Sequence, residues 1–434
     1  SVQRGRGGAV SLSPVDGAEV GSAAGDRPLA DAGWLDARRA TQWIWFAAVG
    51  VVIMALGSIY SSYVDPESFG KILKPPDYMA FWTASVVLLE DGAPMAYDWH
   101  ATHAIMLEIL GVDDIGGMLP WVYPPHALPF VAPLGLTHPV LAGVIWVTVQ
   151  IAVFLWACWK VLPHRLAVVG AFMTAPVLVT LVTGQAGLYW AICLVLAIEY
   201  RRRAPVWAGL ALGFATMKPH LFVPLPLAFL GEGTVKALIW ATVFMALLVV
   251  LSIAVGGIAV WQAFFDKVAL TAAVHTHAEA DYKLTASMFS TLLSWGIPVS
   301  TAGLVHGLLA LPCFVALMLC WGSLGTQRLG IGQVPEDIKA AMLCFALFAI
   351  GPRTMIYEMA LLYVGILYQL RFSLKHGFYA GEKVLLLVLA IANVLSFVKV
   401  PGVFPIMAYV LVVALFFGRV LPALRRMPGA AMPA

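Results

Sequence analysis

The chain has 434 residues, of which 61% are hydrophobic and only 11% charged. Soluble domains carry about 25% charged residues, so the composition excludes an ordinary soluble domain and points to an all-α polytopic membrane protein. The formal net charge of +3 gives no basis for a nucleic-acid partner, and the side on which the basic residues fall matters more than their sum.

Residues 1–40 are rich in Gly, Ala, Ser and Asp and lack an apolar stretch, which predicts a disordered cytoplasmic tail and not a signal peptide. Apolar runs then follow at about 42–60, 139–159, 166–182, 186–198, 206–217, 221–230, 237–255, 302–320, 340–350, 356–370, 384–397 and 403–418. Two of these flank Lys218-Pro219 and read either as two segments or as one helix kinked at the proline. The positive-inside rule decides between them. With two segments, Arg38, Arg39, Lys160, Arg165, Arg201, Arg202, Arg203, Lys236, Arg328, Lys339, Arg371, Lys375, Lys383, Arg419, Arg425 and Arg426 share one side. Lys71, Lys74, Lys218, Lys267, Lys283, Arg353 and Lys399 share the other. One kinked helix splits the charges evenly. The expectation is therefore about twelve spans within residues 41–420, both termini cytoplasmic, and a C-terminal tail over 421–434. The longest outer segments are 61–138, with interfacial helices after the first span, and 259–300, folded over the outer surface.

Polar residues suited to chemistry gather on that outer side. Asp77 follows Pro75-Pro76 and precedes Tyr78, Phe81 and Trp82; it reads as a general base or as the N-cap of the helix that begins there. Lys218 and Arg353 stand at the edges of apolar segments, where a cation is costly unless paired or functional. Arg353 can also pair with Glu358 on the next turn. Gln185 after Gly184 is a turn residue or a hydrogen-bonding group, and Tyr123-Pro124-Pro125 fixes an extended turn. Trp82, Trp99 and Trp121 stack on a sugar or anchor at the headgroup level. His275 and His277, in VHTHAEADYK, suit a phosphate or hydroxyl contact. A divalent cation there would require an extended backbone and a third ligand, and none is evident, so metal-independent chemistry without a cofactor is expected. His100, His103, His126 and His138 read as interfacial residues. The five cysteines lie in apolar runs with no paired spacing, which excludes a disulfide framework.

With no phosphate-binding glycine loop on either side, an activated substrate reaches such a site from within the membrane, and a polyprenyl-phosphate sugar is one that can. Transfer from it needs a carboxylate to take the acceptor proton, cations to hold the departing phosphate and an apolar groove. A transporter or flippase of a lipid-linked sugar is the alternative, although the chain has few of the polar residues it would place deep in many spans, and no convincing internal repeat. A non-catalytic assembly subunit is a further rival.

The ordered pieces KPPDYMAFW, DGAPMAYD, VYPPHALPFVAPLG, VTGQAGLYW, AGLALGFATMKPHL and PRTMIYEMALL, over about Asp77 to Leu362, resemble the GT-C glycosyltransferases. Within them they resemble family 87, which includes mycobacterial polyprenyl-phosphate-mannose-dependent mannosyltransferases and related arabinosyltransferases. The resemblance implies an inverting transfer of mannose, or next arabinofuranose, from a polyprenyl phosphate to a lipid or glycan acceptor, at the periplasmic face of a bacterial inner membrane. It implies Asp77 as general base. Lys218, Arg353, His275 and His277 would hold the donor phosphate, and Tyr123, Gln185, His220, Trp82, Tyr357 and Glu358 would shape the sugar and acceptor pocket. Where family members often carry histidines in the late motif, this chain reads Gly351-Pro352-Arg353-Thr354, which makes Arg353 the natural substitute.

Overall fold

The computed structural model describes residues 32–63, 77–111, 113, 119–277, 285–322, 332–395 and 403–425. Helices form throughout these residues, and among them strand pairing is limited to a single antiparallel bridge between Thr285 and Met355. A lipid-immersed chain must satisfy its backbone groups internally, and helices do so segment by segment.

In chain order the helices are α1 (Ala37–Tyr63), α2 (Met79–Glu90), α3 (Trp99–Leu110), α4 (Pro139–Val161), α5 (Arg165–Phe172), α6 (Ala175–Thr183), α7 (Gly187–Tyr200), α8 (Pro205–Ala215), α9 (Pro219–Phe222), α10 (Leu225–Glu232) and α11 (Val235–Gly256). There follow α12 (Ala259–His277), α13 (Met288–Ser294), α14 (Val299–Trp321), α15 (Glu336–Ile350), α16 (Ala360–His376), α17 (Glu382–Leu395) and α18 (Val403–Leu415). Among the described residues, α4, α11, α14 and the run Val403–Leu424 are long and apolar enough to cross a membrane. A fifth span is formed if α5 and α6, bent by 55° at their junction, are counted as one. α2, α7 and α8 are apolar but shorter. α11 carries large apolar side chains to its surface, Ile239, Leu247 and Val250 among them, as a lipid-facing helix does.

The helix expected to lie in the interface after the first span does form, as α2. It is packed inside the protein: Met79, Phe81, Trp82, Ala84, Val86 and Val87 are all buried in the core. Its apolar faces meet α3 and the short helical turns of Pro125–Leu136 instead of lipid headgroups.

The stretch around Lys218-Pro219 resolves into two arms. Arg201, just before α8, binds Glu232 at the end of α10, with 2.5 Å between Nε and Oε2. The chain therefore goes out along α8, turns at Lys218 and returns, as the two-segment reading requires. The same polarity recurs in α15 and α16. At one end Arg371 binds Asp337 at 2.6 Å and the Val161 carbonyl at 3.0 Å; at the other lie Gly351–Met359 and the start of α16. One end of the bundle thus gathers a lattice of ion pairs made by Glu199, Arg201, Arg202, Glu232, Glu336, Asp337, Lys339 and Arg371. The opposite end gathers Asp77, Gln185, Lys218 and the 351–359 turn.

Candidate active site

Asp77 is held in place from its neighbour outward. The Tyr78 amide donates to the Thr183 carbonyl at 2.9 Å, and its hydroxyl donates to the Pro139 carbonyl. The Tyr78 side chain lies against two glycines: a Cβ at Gly143 would stand 2.8 Å from Tyr78 Cζ, and one at Gly184 2.5 Å from Tyr78 Cβ. Gly184 also takes a φ of +68°, the left-handed cap of α6. Trp146 Nε1 donates to the Gly184 carbonyl at 2.7 Å. This docking sets Gln185 beside Asp77, and Gln185 Nε2 donates to Asp77 Oδ2 at 2.7 Å. The cap position of α2 falls on Tyr78, which makes no side-chain cap hydrogen bond.

A second buried pair stands alongside. Lys218 Nζ forms an ion pair with Glu358 Oε1, and the two side chains are 10% and 0% exposed. Glu358 Oε2 accepts from the Met355 amide at 2.9 Å, and Lys218 Nζ lies 5.0 Å from the Tyr357 ring centroid. The turn carrying Tyr357 and Glu358 rests directly on the start of α7, where a Cβ at Gly187 would come within 2.4 Å of the Tyr357 carbonyl oxygen. Burial disfavours the Lys218 charge, but Glu358 and Tyr123 outweigh that effect and hold its pKa above the ordinary lysine value. Burial is also what raises the Tyr123 hydroxyl; Lys218 opposes it, and Tyr357, Glu358 and Asp77 add to it. Tyr123 thereby joins the two pairs: both carboxylates, the ammonium and Tyr357 lie within its electrostatic reach.

Around Tyr123 the rings close into a cage. Phe81 stands 5.7 Å from Trp121, 5.3 Å from Tyr123 and 5.0 Å from Trp146, and Tyr123 stacks on Trp190 at 6.1 Å. They line an apolar cavity of about 160 Å³ with Phe130, Tyr189 and Met217. A wider cavity of about 330 Å³ shares the Trp121 wall and is lined by Tyr97, Trp99, His220, Lys267, Pro352 and Arg353.

The placement of the residues singled out by sequence is uneven. Asp77, Gln185, Tyr123, Lys218, Tyr357 and Glu358 come together. Arg353 and His220 line the wider cavity. Arg353 is exposed, and the Glu358 carboxylate with which it was expected to pair is bound by Lys218. Lys218, expected as a phosphate ligand, has its charge taken up by that carboxylate. Trp82 is buried, and its Nε1 donates to the Thr137 carbonyl at 3.0 Å, away from both cavities. The backbone is helical through His277, so His275 and His277 do not lie on an extended segment; their side chains lie outside the described residues, as do Lys71, Lys74, Lys283 and Lys399. His126, read as interfacial, is buried beside Thr216 Oγ1 at 3.2 Å and stacked on Trp261. Lys267, Trp190 and Trp146 were not singled out for the site. Among the described residues no group of His, Cys, Asp or Glu has the arrangement of a metal site.

The described residues thus form an apolar helical bundle with a hydrogen-bonded carboxylate, a buried ion pair and an aromatic, cation-rimmed cavity at one end. Residues 121–334 match the family model of glycosyltransferase family 87, and the chain belongs to that family. No curated protein and no solved structure matches the chain.

Proposed function

We propose that the protein transfers one sugar from a polyprenyl-phosphate donor to a hydroxyl of a lipid or glycan acceptor, at the periplasmic face of a bacterial inner membrane and with inversion. Mannose is the sugar the family resemblance favours, with arabinofuranose next. The observation that carries the reading is the Asp77–Gln185 hydrogen bond of 2.7 Å, set beside the Lys218–Glu358 pair and the ring cage around Tyr123.

The chemistry follows from that arrangement. Asp77 Oδ takes the acceptor proton as the acceptor oxygen bonds to the anomeric carbon. The anomeric C–O bond to phosphate breaks on the opposite face, and its electron pair leaves on the phosphate oxygen, giving polyprenyl phosphate. That anion is a weak base and requires no general acid. Gln185 aims the carboxylate, Arg353 and His220 meet the phosphate, and the aromatic walls take the apolar faces of the sugar. Metal-independent transfer is part of the proposal.

The test is a proteoliposome assay with radiolabelled polyprenyl-phosphate mannose and acceptor lipid. Wild type should release polyprenyl phosphate, and Asp77→Asn should lose about 10²–10⁴-fold in rate with an unchanged Tm. Full turnover by Asp77→Asn would remove the base, and absence of release by wild type from mannosyl and arabinosyl donors alike would remove the reaction.

A further inference from the structure

We propose that His306, on α14, is a positioning residue for Arg353: it pins the end of α15, so that the turn after it presents the guanidinium to the wider cavity. That Arg353 meets a phosphate there rests on the reading above; the pinning rests on the hydrogen bonds themselves.

The need for a pin follows from the local sequence. Pro352 has no N–H and disfavours a helical conformation at Gly351, which is extended, so α15 ends at Ile350. The last carbonyls of a helix then need donors from elsewhere. The turn that follows carries Arg353, whose side chain is exposed and lines the wider cavity. Three alternate carbonyls of this stretch accept from one neighbouring segment. Ile350 accepts from His306 Nε2 at 3.1 Å, Pro352 from Ser287 Oγ at 2.6 Å and Thr354 from the Ala286 amide at 2.7 Å. Ala286 and Ser287 stand at the N-terminal edge of α13, which packs on α14 with the Phe289 ring edge-on to His306 at 6.4 Å.

His306 has the chemistry for this role. α14 holds no other histidine and no Asp, Glu, Lys or Arg, and an ionisable side chain within an apolar span is costly unless it is paired or functional. His306 is buried. The Ile350 carbonyl can only accept, so Nε2 carries the hydrogen and Nδ1 is left as an acceptor. Tyr409 Oη, on α18, lies 3.4 Å from Nδ1 and faces it with a donor. A neutral imidazole thus uses both nitrogens and ties α14, α15 and α18 at one point. Arginine is long, so the backbone it grows from decides where its charge can be held. Preorganised charge acts without rearrangement when the anomeric bond breaks, and a misplacement of about 1 Å can cost on the order of 10²-fold in rate.

The experiment measures binding of farnesyl phosphate, with farnesol as the uncharged control, to the full-length protein in nanodiscs. Arg353→Ala should weaken farnesyl phosphate about 10–100-fold and leave farnesol unchanged. His306→Phe keeps a ring and removes the donor; His306→Asn keeps an amide too short to reach Ile350. Each should weaken farnesyl phosphate about three- to tenfold and spare farnesol. His306→Gln, whose amide nitrogen can stand where Nε2 does, should stay within about twofold of wild type. In an Arg353→Ala background the His306 substitutions should add nothing, because residues that act through one group are not additive. Thermal melting shows which variants fold, and either His306→Phe or His306→Asn suffices. Wild-type affinity in these two, an equal loss for farnesol, or a full loss persisting in the Arg353→Ala background would each overturn the role of His306. If neither folds, His306 holds the bundle together and the positioning role falls. If Arg353→Ala weakens farnesyl phosphate and the His306 variants do not, this inference falls and the phosphate reading stands. If Arg353→Ala binds as wild type, the phosphate role of Arg353 falls and the inference with it. If the affinities follow expectation but wild type releases no polyprenyl phosphate, the pin stands and the reaction falls.

Discussion

Asp77 and Gln185 act as one unit, and the hydrogen bond between them makes two tests. Gln185→Leu removes the donor that aims the carboxylate, so kcat should fall about 10–100-fold with KM little changed, read in the same transfer assay. Gln185→Glu places a like charge against Asp77. A like charge disfavours ionisation and raises the carboxylate pKa, so the base form is reached only at higher pH. The acid limb of the kcat/KM profile should shift upward, and an unshifted limb would separate the two residues. The Lys218–Glu358 pair gives a stability test. Either Lys218→Met or Glu358→Gln alone strands the other's buried group, at a cost of about 3–5 kcal/mol for an uncompensated charge. The neutral double variant should regain most of that by thermal melting. From sequence alone Lys218 looked like a ligand because a cation at a segment edge is costly. The partner that meets the cost lies on another helix-bearing segment, and no local signal links the two.

At the scale of elements, the VTGQAGLYW stretch works through its backbone. Gly184 lets α6 end in the left-handed region under Tyr78, and Gly187 lets the Ile356–Met359 turn sit on α7. Gly187→Ala would place a methyl 2.4 Å from a backbone oxygen and 2.7 Å from its carbon, contacts that no rotamer change relieves. It should cost about 1–3 kcal/mol and lower transfer sharply, because the turn it displaces carries Tyr357 and Glu358. Gly50→Ala, at a position with nothing near its Cβ, is the control and should be neutral or slightly stabilising. Hydropathy made the apolar helices and the Lys218 break legible, since both follow from local pattern. It misplaced α2: an aromatic, apolar helix reads the same whether it meets lipid headgroups or the turns of Pro125–Leu136, and only tertiary packing distinguishes them.

The whole molecule is polar along the axis of its bundle. One end carries the aromatic cavities, and the other is knit by ion pairs that join α7, α10, α15 and α16, with the Glu232 side chain fully buried between Arg201, Arg202 and Lys339. Of the basic residues counted as a cytoplasmic signature, Arg201, Arg202, Arg203, Lys339 and Arg371 are paired there with Glu199, Glu232, Glu336 and Asp337, yet the rule that orients spans weighs lysine and arginine and gives carboxylates little weight. The lattice end is therefore expected inside and Asp77 outside. Single cysteines report this directly. Of the native thiols, Cys158, Cys313, Cys320 and Cys344 are buried and Cys193 is partly so, so Cys→Ala replacements give a background without exposed thiols. His100, one residue past Trp99 at the cavity, and Lys375, one turn past Arg371 at the lattice, are both exposed, and substitution at such positions changes stability by no more than about 0.5 kcal/mol. In intact spheroplasts His100→Cys should react with a membrane-impermeant maleimide, and Lys375→Cys only after permeabilisation. The reverse pattern would put Asp77 in the cytoplasm and end the assignment of the reaction to the periplasmic face.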